Sequence, residues 1–176
     1  MTQIIAFAGS THKSSINKQL AVYATRFLDK QTVELLDLND YPLPIYSEDT
    51  ESEDGFPLEL LAFKAKLDAA DAFVIATAEH NGSWTAAFKN FYDWLSRLDR
   101  NIFGDKNILL LSTSPGTGGA GSSLGMAKRS FPFAQGKIVA EFSLPSFYEN
   151  FANGKISNPT LNAEFELQVK QFEASL

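Results

Sequence analysis

The chain has 176 residues, is 44% hydrophobic and carries a formal net charge of −6. That size fits one globular domain over residues 1–176, and the acidity argues against a nucleic-acid binder, whose contacts need a basic face. No cysteine is present. This removes disulfides, thiolate nucleophiles and Cys-type zinc sites, and is compatible with a reducing cytoplasm.

The elements follow in chain order. "IIAFA" (Ile4–Ala8) is a short apolar run and the expected first strand. Leu20, Tyr23, Ala24 and Phe27 then recur at helical spacing. "VELLDL" (Val33–Leu38) is the second expected strand. Asn39 to Pro57 shows no periodicity and reads as one long acidic loop, the kind that is often functional. "LELLAFKAKL" is a short helix, and "AFVIAT" (Ala72–Thr77) is a third strand. In "TAAFKNFYDWLSRL", Phe88, Phe91, Tyr92, Leu95 and Leu98 mark a helix. "ILLLSTS" (Ile108–Ser114) is a fourth strand, "SSLGMAKRSF" a weaker helix interrupted by Gly125, and "KIVAEFSL" (Lys137–Leu144) a fifth strand. Leu161, Phe165, Val169 and Phe172 stripe a last helix. No run of 18 apolar residues predicts a membrane span, and the N-terminus shows no secretory pattern.

Strands that are continuously apolar suit a parallel sheet covered on both faces. Their alternation with helices implies an α/β fold with right-handed crossovers. Ligands in such folds bind beyond the carboxyl ends of the strands. Three loops are expected there. "AGSTHKSSIN" (Ala8–Asn17) offers short hydroxyl and amide side chains ahead of a helix N-terminus, which suits a phosphate monoester. It has one glycine, so neither the dinucleotide fingerprint nor the triphosphate loop is present. "TAEHNGSW" (Thr77–Trp84) and the glycine-rich "STSPGTGGAGSS" (Ser112–Ser123) follow the third and fourth strands. Three polar loops on one edge make a cleft for a flat ligand with a phosphate tail, a description that flavin mononucleotide (FMN) meets.

These loops carry a resemblance over nearly the whole chain. "GSTHKSSIN" resembles the G-S-x-R-x-x-S-x-N phosphate loop of the NAD(P)H-dependent FMN reductases, a flavodoxin-like group that includes quinone, chromate and azo reductases. "AEHNGSWTAAFKNFYDWLS" is similar to that family's P-E-Y-N-G-S-x-P-x-x-L-K-N-x-x-D-W-x-S, and "STSPGTGGAGS" to its ring-edge loop. The resemblance implies a flavodoxin-like three-layer sandwich with a five-stranded parallel sheet of order 2-1-3-4-5. By position, it puts Ser10, His12, Ser15, Ile16 and Asn17 at the FMN phosphate. Glu79, His80, Asn81, Gly82 and Ser83 line one side of the ring. Ser114, Pro115, Gly116, Gly118 and Gly119 approach its pyrimidine edge. Lys89 and Asn90 are expected to brace the second loop, and Trp94 to pack in the core. His12 stands where the family has Arg, a weaker clamp because histidine is only partly charged near neutrality. Ala78 replaces Pro, His80 replaces Tyr, and Thr85 replaces a Pro and is expected to cap its helix. Trp84 is expected to shape the substrate pocket. Two histidines without an acid cluster argue against a metal site.

The resemblance further implies an NADPH- or NADH-dependent enzyme that passes hydride through bound FMN to quinones, free flavin or related acceptors in a ping-pong cycle, with no catalytic side chain. It also implies a homodimer or homotetramer, with the Ala86–Leu98 helix and "YPLPIY" as candidate contact surface. The alternative is a non-enzymatic electron carrier of the flavodoxin type. Against it, the first loop lacks a T-G-x-T core, and no aromatic follows the fourth strand before Phe131.

Overall fold

The computed structural model describes residues 1–176. Its main sheet contains β1 (Gln3–Ala8), β2 (Thr32–Leu36), β3 (Ala72–Thr77), β6 (Asn107–Thr113) and β7 (Lys137–Leu144). Two short hairpins supply β4 (Glu79–His80) with β5 (Ser83–Trp84), and β8 (Phe151–Ala152) with β9 (Lys155–Ile156). The main strands are all parallel and lie in the order β2-β1-β3-β6-β7. Counting only these five, the order is the expected 2-1-3-4-5, and the fold is the flavodoxin-like sandwich.

Side chains alternate across each strand, and both faces are covered. Ile4, Ala6 and Ala8 face a core built with α1 (Ile16–Thr25) and α7 (Pro159–Glu173). Ile5 and Phe7 face a second core built with α3 (Leu58–Ala69), α4 (Ala86–Leu98) and α5 (Gly121–Ser130). Each core gathers 22 buried residues, so neither face of the sheet is left to solvent. This is why β1, β3 and β6 read as unbroken apolar runs.

The register sets the functional edge. Ala8 pairs with Ala76, Thr77 with Ser112, and Thr113 with Leu144. The chain therefore leaves β1, β3, β6 and β7 at one level, and the loops after them crowd one rim. Gly9 turns the chain out of β1. Its N–H donates to the Ala76 carbonyl at 2.9 Å. A Cβ there would lie 2.8 Å from Cγ of Phe88, so α4 packs on the loop through the missing side chain.

The stretch from Asn39 to Pro57 is not the structureless loop expected. It holds a 3-10 turn at Leu38–Asp40 and a short helix, α2 (Glu48–Asp54). The α2 sequence, EDTESED, has no apolar residue, so no periodicity marks it. Ser47 caps it, accepting from the Thr50 N–H at 3.1 Å. Acids in its first turn answer the positive end of the helix dipole. Glu51 is held by Arg97 at 2.9 Å and by the Tyr46 hydroxyl at 2.9 Å.

Candidate functional site

The first loop runs from Gly9 to the start of α1. The Ser10 hydroxyl accepts the His12 N–H at 3.2 Å, and the Ser15 N–H donates to the His12 carbonyl at 3.0 Å. The N–H groups of Thr11, Lys13, Ser14, Ile16 and Asn17 have no partner within the chain. Such a set at a helix N-terminus is an anion site. Thr11, His12, Lys13 and Ser14 are exposed, Ile16 is half-buried, and Ser15 is buried as the helix cap, its Oγ accepting the Lys18 N–H at 3.3 Å.

Asn17 has another role. It is 3% exposed. Its Oδ1 accepts the Thr113 N–H at 2.9 Å, and its Nδ2 donates to the Thr113 carbonyl at 3.0 Å. Its side chain ties the head of α1 to the end of β6. Only its backbone N–H and one amide hydrogen remain for an anion.

A residue after β2 also supports this loop. Nδ2 of Asn39 donates to the Thr11 carbonyl at 3.0 Å and to Asp37 at 2.8 Å. Lys18 Nζ lies 2.5 Å from the Asp37 carboxylate. Partial burial pushes that carboxyl up, but the hydrogen bonds from Lys18 and Asn39 outweigh it and hold Asp37 below the ordinary carboxylate range. The sequence signal for this support is the Asp–Leu–Asn–Asp cluster, whose first two residues the apolar pattern assigns to the second strand and whose last two it assigns to the loop.

The second loop is the β4–β5 hairpin. Asn81 (φ 54°) and Gly82 (φ 73°) form its exposed turn, the Asn–Gly pair that a two-residue hairpin favours. The Glu79 carboxylate accepts the Ser123 N–H at 3.0 Å and so caps α5. Ser83 Oγ sits 3.5 Å from the Met126 sulfur. Trp84 does not shape a substrate pocket. It is 4% exposed, packs on Phe88, Tyr92 and Phe131, and donates from Nε1 to the Ser123 carbonyl at 3.0 Å. Thr85 does cap α4, accepting the Phe88 N–H at 3.1 Å while donating to the Gly9 carbonyl at 2.8 Å. The loops are thus joined. Ser10, His12 and His80, with Thr85, share a cleft of about 280 Å³.

Of the K-N pair, Asn90 braces a different segment from the one expected and Lys89 braces none. Lys89 pairs with Asp93 on its own helix, 2.5 Å apart. Asn90 accepts the Tyr46 N–H and donates to the Pro44 carbonyl, both at 2.8 Å. Trp94 is fully buried in the core, and its Nε1 donates to the same carbonyl at 2.9 Å. Together they pin the Tyr41–Tyr46 stretch, not the second loop.

The third loop is closed on itself by Ser114, whose Oγ accepts the Ala120 N–H and donates to the Gly116 carbonyl, each at 3.2 Å. Pro115, Gly116, Thr117 and Gly118 are exposed. The N–H groups of Gly116, Thr117 and Gly118 have no partner within the chain. Gly119 is buried with φ +57°, and a Cβ on it would fall 2.2 Å from Ser143 Oγ. Its carbonyl accepts from Ser112 and Ser143, both at 2.8 Å. The segment after β7 reaches the same place: Ser146 N–H donates to the Gly116 carbonyl and Phe147 N–H to that of Ser114. That segment, which carries the exposed Tyr148, was not expected at the site. Its sequence signal was the turn pair Asn153–Gly154 behind it, a second Asn–Gly hairpin.

No helix is long and apolar enough to cross a membrane. The fold as a whole is shared with FerB, an NAD(P)H:(acceptor) oxidoreductase from Paracoccus denitrificans, at a TM-score of 0.74 and 24% identity over 99% of this chain and 98% of that one. In sequence, the chain is 35% identical over 123 residues to a quinone reductase of Escherichia coli (strain K12), spanning 67% of this chain and 63% of that enzyme. It is likewise 35% identical over 123 residues to a probable NADPH:quinone oxidoreductase of Oryza sativa subsp. japonica, 68% of this chain and 60% of the relative. The chain thus spans less than two thirds of the length of these curated relatives. The profile of the NADPH-dependent FMN reductases matches residues 2–149, and the chain belongs to that family.

Proposed function

We propose that the chain binds FMN across its three rim loops and catalyses NAD(P)H-dependent reduction of quinones, free flavin or related acceptors. One observation carries this reading. Two sets of unpaired N–H groups lie on one rim, the first at Thr11, Lys13, Ser14, Ile16 and Asn17, the second at Gly116, Thr117 and Gly118. The first suits a phosphate dianion. The second suits an oxygen on which negative charge grows. A ligand with a phosphate at one end and an electron-accepting ring at the other answers both, so the residues present fit FMN.

When bound, FMN supplies hydride acceptance and delivery, chemistry that no side chain of this protein offers. The protein's part is binding and orientation. The head of α1 holds the phosphate, with the Ser15 hydroxyl and His12 beside it. The β4–β5 hairpin, locked to α5 through Glu79 and Trp84, makes one wall of the ring site. The Ser114–Gly119 loop makes the other and presents its N–H groups to the pyrimidine edge. Nucleotide and acceptor would use the same open ring face in turn, a ping-pong cycle. The active form is a homodimer or homotetramer.

An absorption spectrum of the purified protein, followed by anaerobic titration with NADH and NADPH, tests the reading. Oxidised-flavin absorption that either nucleotide bleaches, and that a quinone restores over many cycles, is the expected result. Protein that is colourless and takes up no FMN on reconstitution overturns it. Flavin that neither nucleotide reduces, yet a chemical one-electron donor does, would point to the carrier alternative.

A further inference from the structure

A pocket of about 210 Å³ lies beside the rim cleft, between α4 and the stretch that follows β2. Ala87, Asn90 and Phe91 stand at i, i+3 and i+4, so they share one face of α4 and form one wall. Tyr41, Pro42 and Leu43 form the opposite wall. No charged side chain lines the space, although Asp40 and Lys89 are each next in sequence to a residue that does. The amides at its edge are already engaged. Asn39 Nδ2 donates to the Thr11 carbonyl and to Asp37, and Asn90 is spent on the Tyr46 N–H and the Pro44 carbonyl. What remains for a ligand is mainly apolar surface. The walls are also fixed. Tyr41 and Phe91 both pack on the buried ring of Phe63, each with centroids 5.1 Å from it. Walls held in this way lose little freedom when a ligand enters.

The pocket adjoins the candidate active site. Thr11 and Ala87 line both this pocket and the rim cleft that holds Ser10, His12 and His80. From Ala87, four residues of helix lead to Phe91, a distance of about 6 Å. A ligand in the cleft therefore meets, at Ala87, a short apolar recess with no charge to answer.

We propose that this recess receives an apolar substituent of the electron acceptor, so that the enzyme favours quinones bearing a short alkyl chain over unsubstituted ones. The assignment rests on the function proposed above and narrows the acceptor class for that same site. The recess suits an alkyl chain because burial of each methylene is favourable and no polar group of the protein loses a partner when water leaves it.

Calorimetric titration of FMN-loaded protein with 4-alkylphenols, from methyl to hexyl, tests the recess without turnover, because a phenol resembles the reduced acceptor and takes up no hydride. Each methylene is expected to tighten binding roughly fourfold, and the gain should stop once the chain exceeds the recess, about 6 Å deep. Leu43→Asn is expected to cut the gain to less than twofold per methylene. Ala87→Leu fills the mouth with a residue that suits a helix and is expected to do the same, should Leu43→Asn loosen its stretch. In turnover, kcat/KM for 2-alkyl-1,4-benzoquinones should climb with chain length in the wild type and not in Leu43→Asn, which should reduce unsubstituted benzoquinone within twofold of the wild-type rate. Affinity that ignores chain length, or a gain that both variants retain, overturns the proposal. Phenols that bind only by splitting a dimer, read by sedimentation, would give the recess to a second copy of the chain and overturn it too. Chain-length dependence lost in Leu43→Asn, in a protein that neither nucleotide reduces, supports the recess as a ligand site and overturns the reductase reading alone.

Discussion

Ser15 and Asn17 sit two residues apart in the first loop but answer to different partners, and their variants separate binding from stability. Ser15 has an exposed anion site in front of it and only a 3.3 Å cap bond behind. Ser15→Ala is expected to weaken FMN binding by roughly tenfold while lowering the stability of FMN-free protein by about 1 kcal/mol. Asn17→Ala strands a buried N–H and a buried carbonyl on Thr113, a loss of about 1–3 kcal/mol in FMN-free protein. Urea unfolding with and without FMN resolves the two. A larger FMN-free loss from Ser15→Ala than from Asn17→Ala would contradict the assignment. His12→Arg should tighten FMN, because a guanidinium is always charged and presents a fixed fork of donors to a phosphate. Asp37 adds a pH dependence. Its carboxyl is held low in the folded protein, so its contribution is present above the unfolded carboxylate value of about 3.9. It is lost as pH falls through the lowered folded value. In acid titrations followed by urea unfolding, wild-type stability should fall more steeply than that of Asp37→Asn below about pH 4. Parallel curves would show that the Lys18–Asp37–Asn39 link does not support the loop.

At the scale of elements, the strands and long helices were legible because the packing that makes them also writes the pattern. The five main strands appear where the apolar runs stand, within a residue or two at their ends. The two cores explain why the runs of β1, β3 and β6 do not alternate. What was not legible lacks an apolar signature. The acidic helix α2 buries no residue and exists by its Ser47 cap, its dipole and one Arg97 contact. The ties made by Glu79, Trp84 and Asn90 were not legible for a related reason. Spacing placed each on the right element, but a hydrogen bond across 44 residues, such as Glu79 to the Ser123 N–H, leaves no local trace. The β4–β5 hairpin tests how far such ties position the ring wall. Trp84→Phe keeps an aromatic in the cluster but frees the Ser123 carbonyl, at about 0.5–1.5 kcal/mol. It should raise amide exchange in the first turn of α5 and in the hairpin, and leave exchange in β1 and β3 unchanged. Uniform loss of protection over the whole sheet would mean that Trp84 serves the global core alone. Gly119→Ala is the sharper insult. Its Cβ would meet Ser143 Oγ and it holds φ +57°, so the third loop must shift and FMN affinity should fall with it.

At the scale of the whole molecule, the two cores absorb most of the surface from which self-association was expected. In α4, Phe88, Phe91, Trp94 and Leu95 are buried within the chain, so that helix has little apolar area left to offer a partner. The Tyr41–Tyr46 stretch is different. Asn90 and Trp94 hold it by Pro44, and Tyr46 packs on Trp94 from one side while Phe56 packs from another. Pinned in this way, it leaves Ile45 86% exposed, and Leu58, two residues beyond Phe56, 78% exposed. Large aliphatic side chains held outward on a rigid support lose little entropy when a second copy covers them, and an isologous contact repeats each of them on both sides. If the proposed dimer uses this surface, Ile45→Asp places two carboxylates in it and should convert the protein to monomer in sedimentation velocity at micromolar concentration. FMN content should remain, because Ile45 belongs to none of the three rim loops. Wild-type protein that sediments only as a monomer would remove the proposed assembly, and an Ile45→Asp variant that stays dimeric would move its interface elsewhere.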